Sequence, residues 1–300
     1  MQKLKNSGWY GSILLLIASF LWGSTFVAQS DGADKVGPFT FLCLRSVLGF
    51  AVLLPFAAIR MRKKTKTERN SRLLLWGGVV CGAVLTVSSL LQQVGIAYTS
   101  VGNAGFITAM YILLVPLLGL FLGKKMPLHL WGCVGIAVVA LYLLTIKDSF
   151  SIGFGDLMVL LCAVCFAVHI LIIDYVSPKV DGVTLSCIQF LTVAVVTVIP
   201  MLVLEKPSMQ MVLSAWLPIA YAGVLSSGVA YTLQIIGQKY TRPTVASLVM
   251  SLESVFAVLS GMVVLKEIPT IKEGIGCVLM FAAIILAQLP TKESTDAKNA

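Results

Sequence analysis

Apolar positions run along this chain in ten long blocks, and polar positions cluster in the short gaps between them. The blocks lie at about 9–29, 38–59, 73–94, 101–122, 128–146, 155–176, 183–204, 212–237, 243–264 and 270–289. A helix that crosses the roughly 30 Å hydrocarbon core of a bilayer needs about 20 apolar residues. The pattern therefore predicts an all-α integral membrane protein with ten transmembrane helices. Gly, Pro and charge punctuate the gaps, as at Gly37-Pro38, Lys124-Lys125-Met126-Pro127, Ser177-Pro178 and Arg242-Pro243. The first block follows Lys3 and Lys5 like a signal peptide. It is too long for one and lacks a small-residue cleavage pattern, so it reads as a retained helix.

The blocks repeat. Leu91, Gln92, Gly95, Tyr98 and Thr99 recur at Leu233, Gln234, Gly237, Tyr240 and Thr241. The same offset aligns Ala104, Leu117, Gly119, Lys124, Pro127 and Gly132 with Ala246, Leu259, Gly261, Lys266, Pro269 and Gly274. Nearer the two starts, Gly11–Val27 lines up with Gly155–Leu171, and Thr40 and Cys43 with Thr184 and Cys187. Two five-helix units result, 1–150 and 151–300, the second ending in a short cytoplasmic tail. Tandem copies of a unit with an odd number of spans face opposite ways, so the expected layout is two inverted five-helix repeats. In such proteins the solute site lies between the repeats.

Composition sharpens this picture. Apolar residues make up 58% of the chain and charged residues 12%, half of what a soluble domain carries. The net charge of +9 does not indicate a nucleic-acid partner, because seven of the 22 basic residues fall between Arg60 and Arg72 and no basic face is interleaved with aromatics. With the N-terminus inside, sixteen Lys and Arg fall on the cytoplasmic side and five on the other. Cytoplasmic loops retain positive charge, so both termini are expected in the cytoplasm, with the chain in the inner or plasma membrane. The seven cysteines all lie in apolar blocks. Cys162 and Cys165 form a C-x-x-C without a second ligand pair, which reads as packing, and neither metal nor cofactor is expected.

Order, spacing and several local runs resemble the EamA-type transporters of the drug/metabolite transporter superfamily. The residues that carry the likeness are Trp22-Gly23-Ser24-Thr25-Phe26, Arg45 with Gln189 at the matching point of the seventh span, and Ile112–Gly119. Leu252, Glu253, Gly261 and Leu265–Glu267 complete the set. The chain departs from the family at Ser254, where Pro is common, and at Lys125, where Glu is common. The resemblance implies a gradient-coupled or facilitative carrier, usually an exporter of amino acids, related metabolites or drugs.

Polar groups inside hydrocarbon are costly and thus informative. Glu253 is the one carboxylate near mid-span, on the face of Ala246, Met250 and Ala257. It is a candidate proton or cation site or, alternatively, an interhelical hydrogen-bond partner. His169, matching Thr25, is a relay candidate or a histidine satisfied by a neighbour. Arg45, roughly 10 Å along its span, can bind a solute carboxylate, pair with Glu253 or snorkel to the interface. Gln92 and Gln234 are repeat partners on polar stripes with Ser88 and Ser89, and with Ser227, Tyr231 and Gln238. Trp22 sits mid-span above Thr25 and Gln29, and Tyr111 matches Glu253 by the repeat offset. Trp9, Trp76, Trp131 and Trp216 lie at span ends as interface anchors. Gly78-x-x-x-Gly82 and Gly119-x-x-x-Gly123 read as close helix contacts.

The expected function is secondary transport of a small organic solute by alternating access, with export favoured and no enzymatic activity. No nucleotide-binding loop or catalytic motif is present. An integral-membrane lipid-modifying enzyme and a channel-like or structural subunit are the competing readings. The expected partners are the solute and the lipid bilayer, with protons and a second copy of the chain in a homodimer left open.

Overall fold

A computed structural model describes residues 8–63, 71–99, 101–124, 126–145, 153–265 and 270–288. Lys3, Lys5, most of the basic loop after Arg62, Lys125, Lys147, Lys266, Glu267, Pro269, Lys292 and Lys298 lie outside the described residues. Their part in the charge and motif readings is therefore not addressed by the structure.

The described residues form fourteen α-helices. They are α1 (Gly8–Ala33), α2 (Pro38–Lys63), α3 (Ser71–Ile96), α4 (Val101–Ala109), α5 (Tyr111–Phe121), α6 (Leu128–Thr145) and α7 (Phe154–Val176). There follow α8 (Gly182–Pro200), α9 (Met209–Ser214), α10 (Trp216–Tyr221), α11 (Tyr231–Gln238), α12 (Pro243–Met250), α13 (Leu252–Leu265) and α14 (Ile271–Gln288). Among the described residues, nine helical stretches are long and apolar enough to cross a membrane. The fifth predicted block forms a shorter apolar helix, Leu128–Leu143.

Four predicted spans depart from a continuous α-helix, the seventh through a π-helical turn at Met201–Glu205. The fourth breaks at Met110 between α4 and α5, and the ninth at Ser251 between α12 and α13. The ninth breaks although no proline lies between Thr244 and Leu265. The hydroxyl of Ser251 donates to the Leu248 carbonyl at 2.8 Å. Such a bond offers the backbone an alternative to the helical ladder. The eighth contains a π-helical segment, Ala222–Ala230, between α10 and α11. Wide turns of this kind concentrate at functional sites because they alter which side chains face inward.

Polarity is turned inside out relative to a soluble protein. Ile17, Phe20, Leu54, Phe56, Val195 and Ile199 face outward, whereas Arg45, Gln189, Gln234, His169 and Glu253 are buried. Trp9, Trp76 and Trp216 are exposed at helix ends, as interface anchors require.

Helix α2 lies against α8, α3 against α7 and α8, α1 against α11 and α13, and α6 against α14. The α2–α8 pair is tied at both ends. Glu205, after α8, accepts from the backbone nitrogens of Phe39 (2.9 Å) and Thr40 (2.7 Å). It thereby satisfies donors that the first turn of α2 cannot pair internally. At the other end Arg60 reaches Asp181 at 3.4 Å, and Asp181 caps α8 through Thr184 at 3.0 Å.

Glycines set the closest crossings. A Cβ on Gly82 would lie 2.6 Å from the Gln189 carbonyl oxygen, and one on Gly78 2.5 Å from Ile188. That agrees with close contact at the first glycine pair. The second pair is different. A Cβ on Gly119 would meet nothing nearer than 3.9 Å, and one on Gly123 nothing within 4 Å. Gly123 has φ +73°, so it ends α5 in a left-handed conformation that glycine adopts without strain. Its role is a helix stop and not a packing notch.

Candidate functional site

The interruptions in α4–α5, α10–α11 and α12–α13 border one internal cavity. Fourteen residues line it, among them Trp22, Arg45, Gln92, Tyr111, Tyr231, Gln234 and Glu253. Seven of the eight candidates from the sequence thus converge on a single space, although they come from six different helices.

The break at Ser251 puts Glu253 in the first turn of α13, where carboxylates are favoured by the helix dipole. The break at Met110 puts Tyr111 at the start of α5. The Tyr111 hydroxyl donates to Glu253 Oε1 at 3.0 Å. Glu253 therefore has a protein partner and also a face on the cavity, so both sequence readings of this residue describe part of its setting.

Arg45 is 4% exposed. Its Nε donates to Ser227 Oγ at 3.2 Å, Nη1 to Gln29 Oε1 at 3.1 Å and Nη2 to Ser226 Oγ at 3.0 Å. The π-helical segment delivers both serines, which adjoin in sequence, to the same guanidinium. Gly49 and Gly223 let α2 approach that segment, since a Cβ on Gly49 would fall 2.7 Å from Ser227 Cβ. Two expectations for Arg45 are corrected here. It does not snorkel, because its polar partners lie inward, and it makes no ion pair with Glu253 among the described residues. Hydrogen bonds to a charged group contribute about 1.5–3 kcal/mol each. Three of them offset much of the several kcal/mol that burying a charge costs, without cancelling the charge.

Trp22 packs edge-on against Tyr231, with ring centroids 4.9 Å apart, and Phe190 backs Tyr231 at 5.4 Å. Gln92 Nε2 donates to Thr108 Oγ1 at 3.2 Å. Two buried polar atoms of lining residues, Trp22 Nε1 and Gln234 Oε1, have no protein partner.

His169 is the candidate outside the lining. It is fully buried behind the wall, with Nε2 2.9 Å from Gln189 Oε1, and its ring centroid lies 6.3 Å from that of Tyr231. Gln189 thus satisfies one ring nitrogen, whereas Nδ1 of His169 and Nε2 of Gln189 are buried without a protein partner. The sequence reading did not place Phe26, Thr108, Phe166, Ile170, Ser226 or Met250 in the site, although all line the cavity. Four have a signal there in hindsight. Phe166 and Ile170 match Trp22 and Phe26 by the offset of the repeat starts, and Thr108 and Met250 match each other by the main offset.

The profile of the EamA-like transporter family matches residues 9–146 and again 153–289. The chain belongs to the EamA-like transporter family. Two relatives point the same way. A protein of Archaeoglobus fulgidus named an uncharacterized transporter is 28% identical over 285 residues, spanning 93% of this chain and 86% of its own length. One of Methanothermobacter thermautotrophicus with the same name is 25% identical, spanning 92% and 85%. A protein crystal structure matches the fold with a TM-score of 0.75 at 21% identity, over 92% of this chain and 96% of that one. This EamA-family protein is a multi-pass membrane transporter, as its motifs suggested.

Proposed function

We infer that this chain is a secondary transporter that exports a small organic solute, an amino acid, a related metabolite or a drug, by alternating access. One observation carries the reading. The cavity is lined by residues paired through the sequence repeat, namely Gln92 with Gln234, Tyr111 with Glu253, Thr108 with Met250, Trp22 with Phe166, and Phe26 with Ile170. A lipid-modifying enzyme or a structural subunit has no need of a cavity lined in matched pairs from both repeats.

Helix crossings outside the cavity support the two inverted units, 1–150 and 151–300. Gly11 meets Gly237, and Gly95 meets Gly155. Tyr10 stacks edge-on with Tyr240, and Tyr98 with Phe154, each at 5.4 Å. Under the repeat offsets the first contact of each kind maps onto the second. A site on the axis between such units can be exposed to either side by rocking one against the other.

Reconstituted in liposomes, the protein is expected to accelerate counterflow of a labelled solute severalfold when the same unlabelled solute is trapped inside. Cysteines at Gln92 and Gln234 should react with a small polar thiol reagent, more slowly with that solute present. Absence of counterflow for every solute in a broad metabolite panel would overturn the carrier reading.

The orientation rests on the sixteen-to-five distribution of Lys and Arg. Reporter fusions after Arg62 and after Lys298 should both read cytoplasm, with the chain in the inner or plasma membrane. An external signal from either would reverse that assignment.

A further inference from the structure

Guanidinium groups carry five N–H donors in a rigid plane and a fixed positive charge. Serines and a glutamine occupy three of those donors on Arg45, one each on Nε, Nη1 and Nη2. One N–H therefore remains on Nη1 and one on Nη2, in a residue that lines the cavity. All three occupied donors end on neutral oxygens, so the site is held rigidly while its charge is left uncompensated. The ion pairs among the described residues involve Lys35, Arg60 and Lys124, and Arg45 takes part in none.

We propose that Arg45 is the receptor for a carboxylate on the transported solute. With one N–H left on each terminal nitrogen, the guanidinium can meet the two oxygens of a carboxylate, a recognition for which arginine is favoured over lysine. While Glu253 on the same cavity holds its proton, a monoanion balances the one buried cation, whereas a phosphate monoester carries close to two negative charges and would leave one unpaired in low dielectric. The other unpartnered atoms describe the rest of the solute. Trp22 Nε1 offers a donor, and Gln234 Oε1 asks for one. The solute then bears an acceptor for Trp22 and an amine or hydroxyl hydrogen for Gln234 besides its carboxylate, with its carbon skeleton against Trp22 and Tyr231. This assignment rests on the transporter reading and adds the solute's charge class and the residue that selects it.

The test uses the full chain in proteoliposomes and a defined probe mixture. The mixture contains amino acids and hydroxy acids, the carboxamide and methyl ester of each, matched phosphate monoesters, and neutral polyols. Exchange of every component is followed by mass spectrometry. Acids should exchange at least tenfold faster than their amides and esters. Arg45→Gln and Arg45→Lys should both erase that preference, the lysine because it keeps the charge but lacks the fork. The acid-to-amide ratio of the unaltered protein needs no variant, so the assignment stays testable if Arg45→Gln misfolds. Equal exchange of acids and amides, or preference for phosphate monoesters, overturns the carboxylate assignment and leaves the carrier intact. No exchange of any component overturns the carrier reading itself, and this assignment with it.

Discussion

Glu253→Gln is expected to abolish accumulation driven by an imposed pH gradient, while exchange of solute between the two sides of the membrane survives. The substitution is nearly isosteric. Glu253 accepts from the Tyr111 hydroxyl through Oε1 at 3.0 Å, and a glutamine carbonyl can accept the same bond. What disappears is an ionisable side chain on the cavity wall. If one proton moves against each solute, a gradient of one pH unit sustains about tenfold accumulation, since 1.4 kcal/mol corresponds to a factor of ten. The glutamine variant should show none of that tenfold. The measurement is uptake into inverted vesicles with and without the gradient. Unchanged gradient dependence in the variant excludes Glu253 as the coupling group, and its absence from the unaltered protein removes proton coupling altogether.

How the site was legible in the sequence follows from what a repeat preserves. Gln92 and Gln234 stood out because a neutral polar residue recurring at the same point of two apolar blocks is rare. Both line the cavity. Trp22 and Tyr231 were visible as polar-tipped aromatics at mid-span. Arg45 and Glu253 were visible as charges in hydrocarbon, but their partners were not. Pattern reading joins residues along one helix, whereas Arg45 is held by Ser226 and Ser227, more than 180 positions away. It also assumes a regular period of 3.6 residues. The π-helical segment breaks that period, which is why Ser226 escaped notice while Ser227 was assigned to a stripe.

The helix breaks were hidden for a similar reason. The fourth and ninth blocks read as continuous because hydropathy does not register one turn of altered backbone. Yet the breaks at Met110 and Ser251 precede Tyr111 and Glu253 by one and two residues. Met110 and Ser251 both keep right-handed helical angles, and each donates and accepts a backbone hydrogen bond, so each break is a tightened turn and not a loss of backbone pairing. The two halves have also diverged at the charged positions of the site. Positions matched by the repeat hold tyrosine in one half and glutamate in the other, and likewise arginine and glutamine at 45 and 189. Lining residues of packing type stayed similar, as Phe26 and Ile170 illustrate.

The glycine crossings make the second large effect. Gly95→Ala and Gly237→Ala should each destabilise the protein by about 1–3 kcal/mol, the usual cost of forcing extra atoms into a packed interior. A Cβ on Gly95 would sit 2.4 Å from Val159 Cγ2 and 2.9 Å from the Gly155 carbonyl oxygen. One on Gly237 would sit 2.9 Å from the Gly11 carbonyl oxygen and 2.9 Å from Leu15 Cγ. In each case one obstacle is backbone, which cannot rotate away. The controls are Gly132→Ala and Gly135→Ala in α6, where a Cβ meets nothing within 4 Å. Alanine is favoured over glycine in a helix interior by about 0.5–1 kcal/mol, so these two should hold or gain stability. Melting of the detergent-solubilised protein, followed by size-exclusion chromatography after heating, reads all four. The expected order is a clear loss for Gly95→Ala and Gly237→Ala and none for the α6 pair. Equal losses in both pairs would mean that tolerance is set by helix propensity in the membrane and not by the crossings of α1 with α11 and of α3 with α7. The double variant carries the further weight, because the two crossings lie on different helix pairs. Their effects should add within about 0.5 kcal/mol if the crossings are independent, and a larger discrepancy would show that the two halves feel each other's packing.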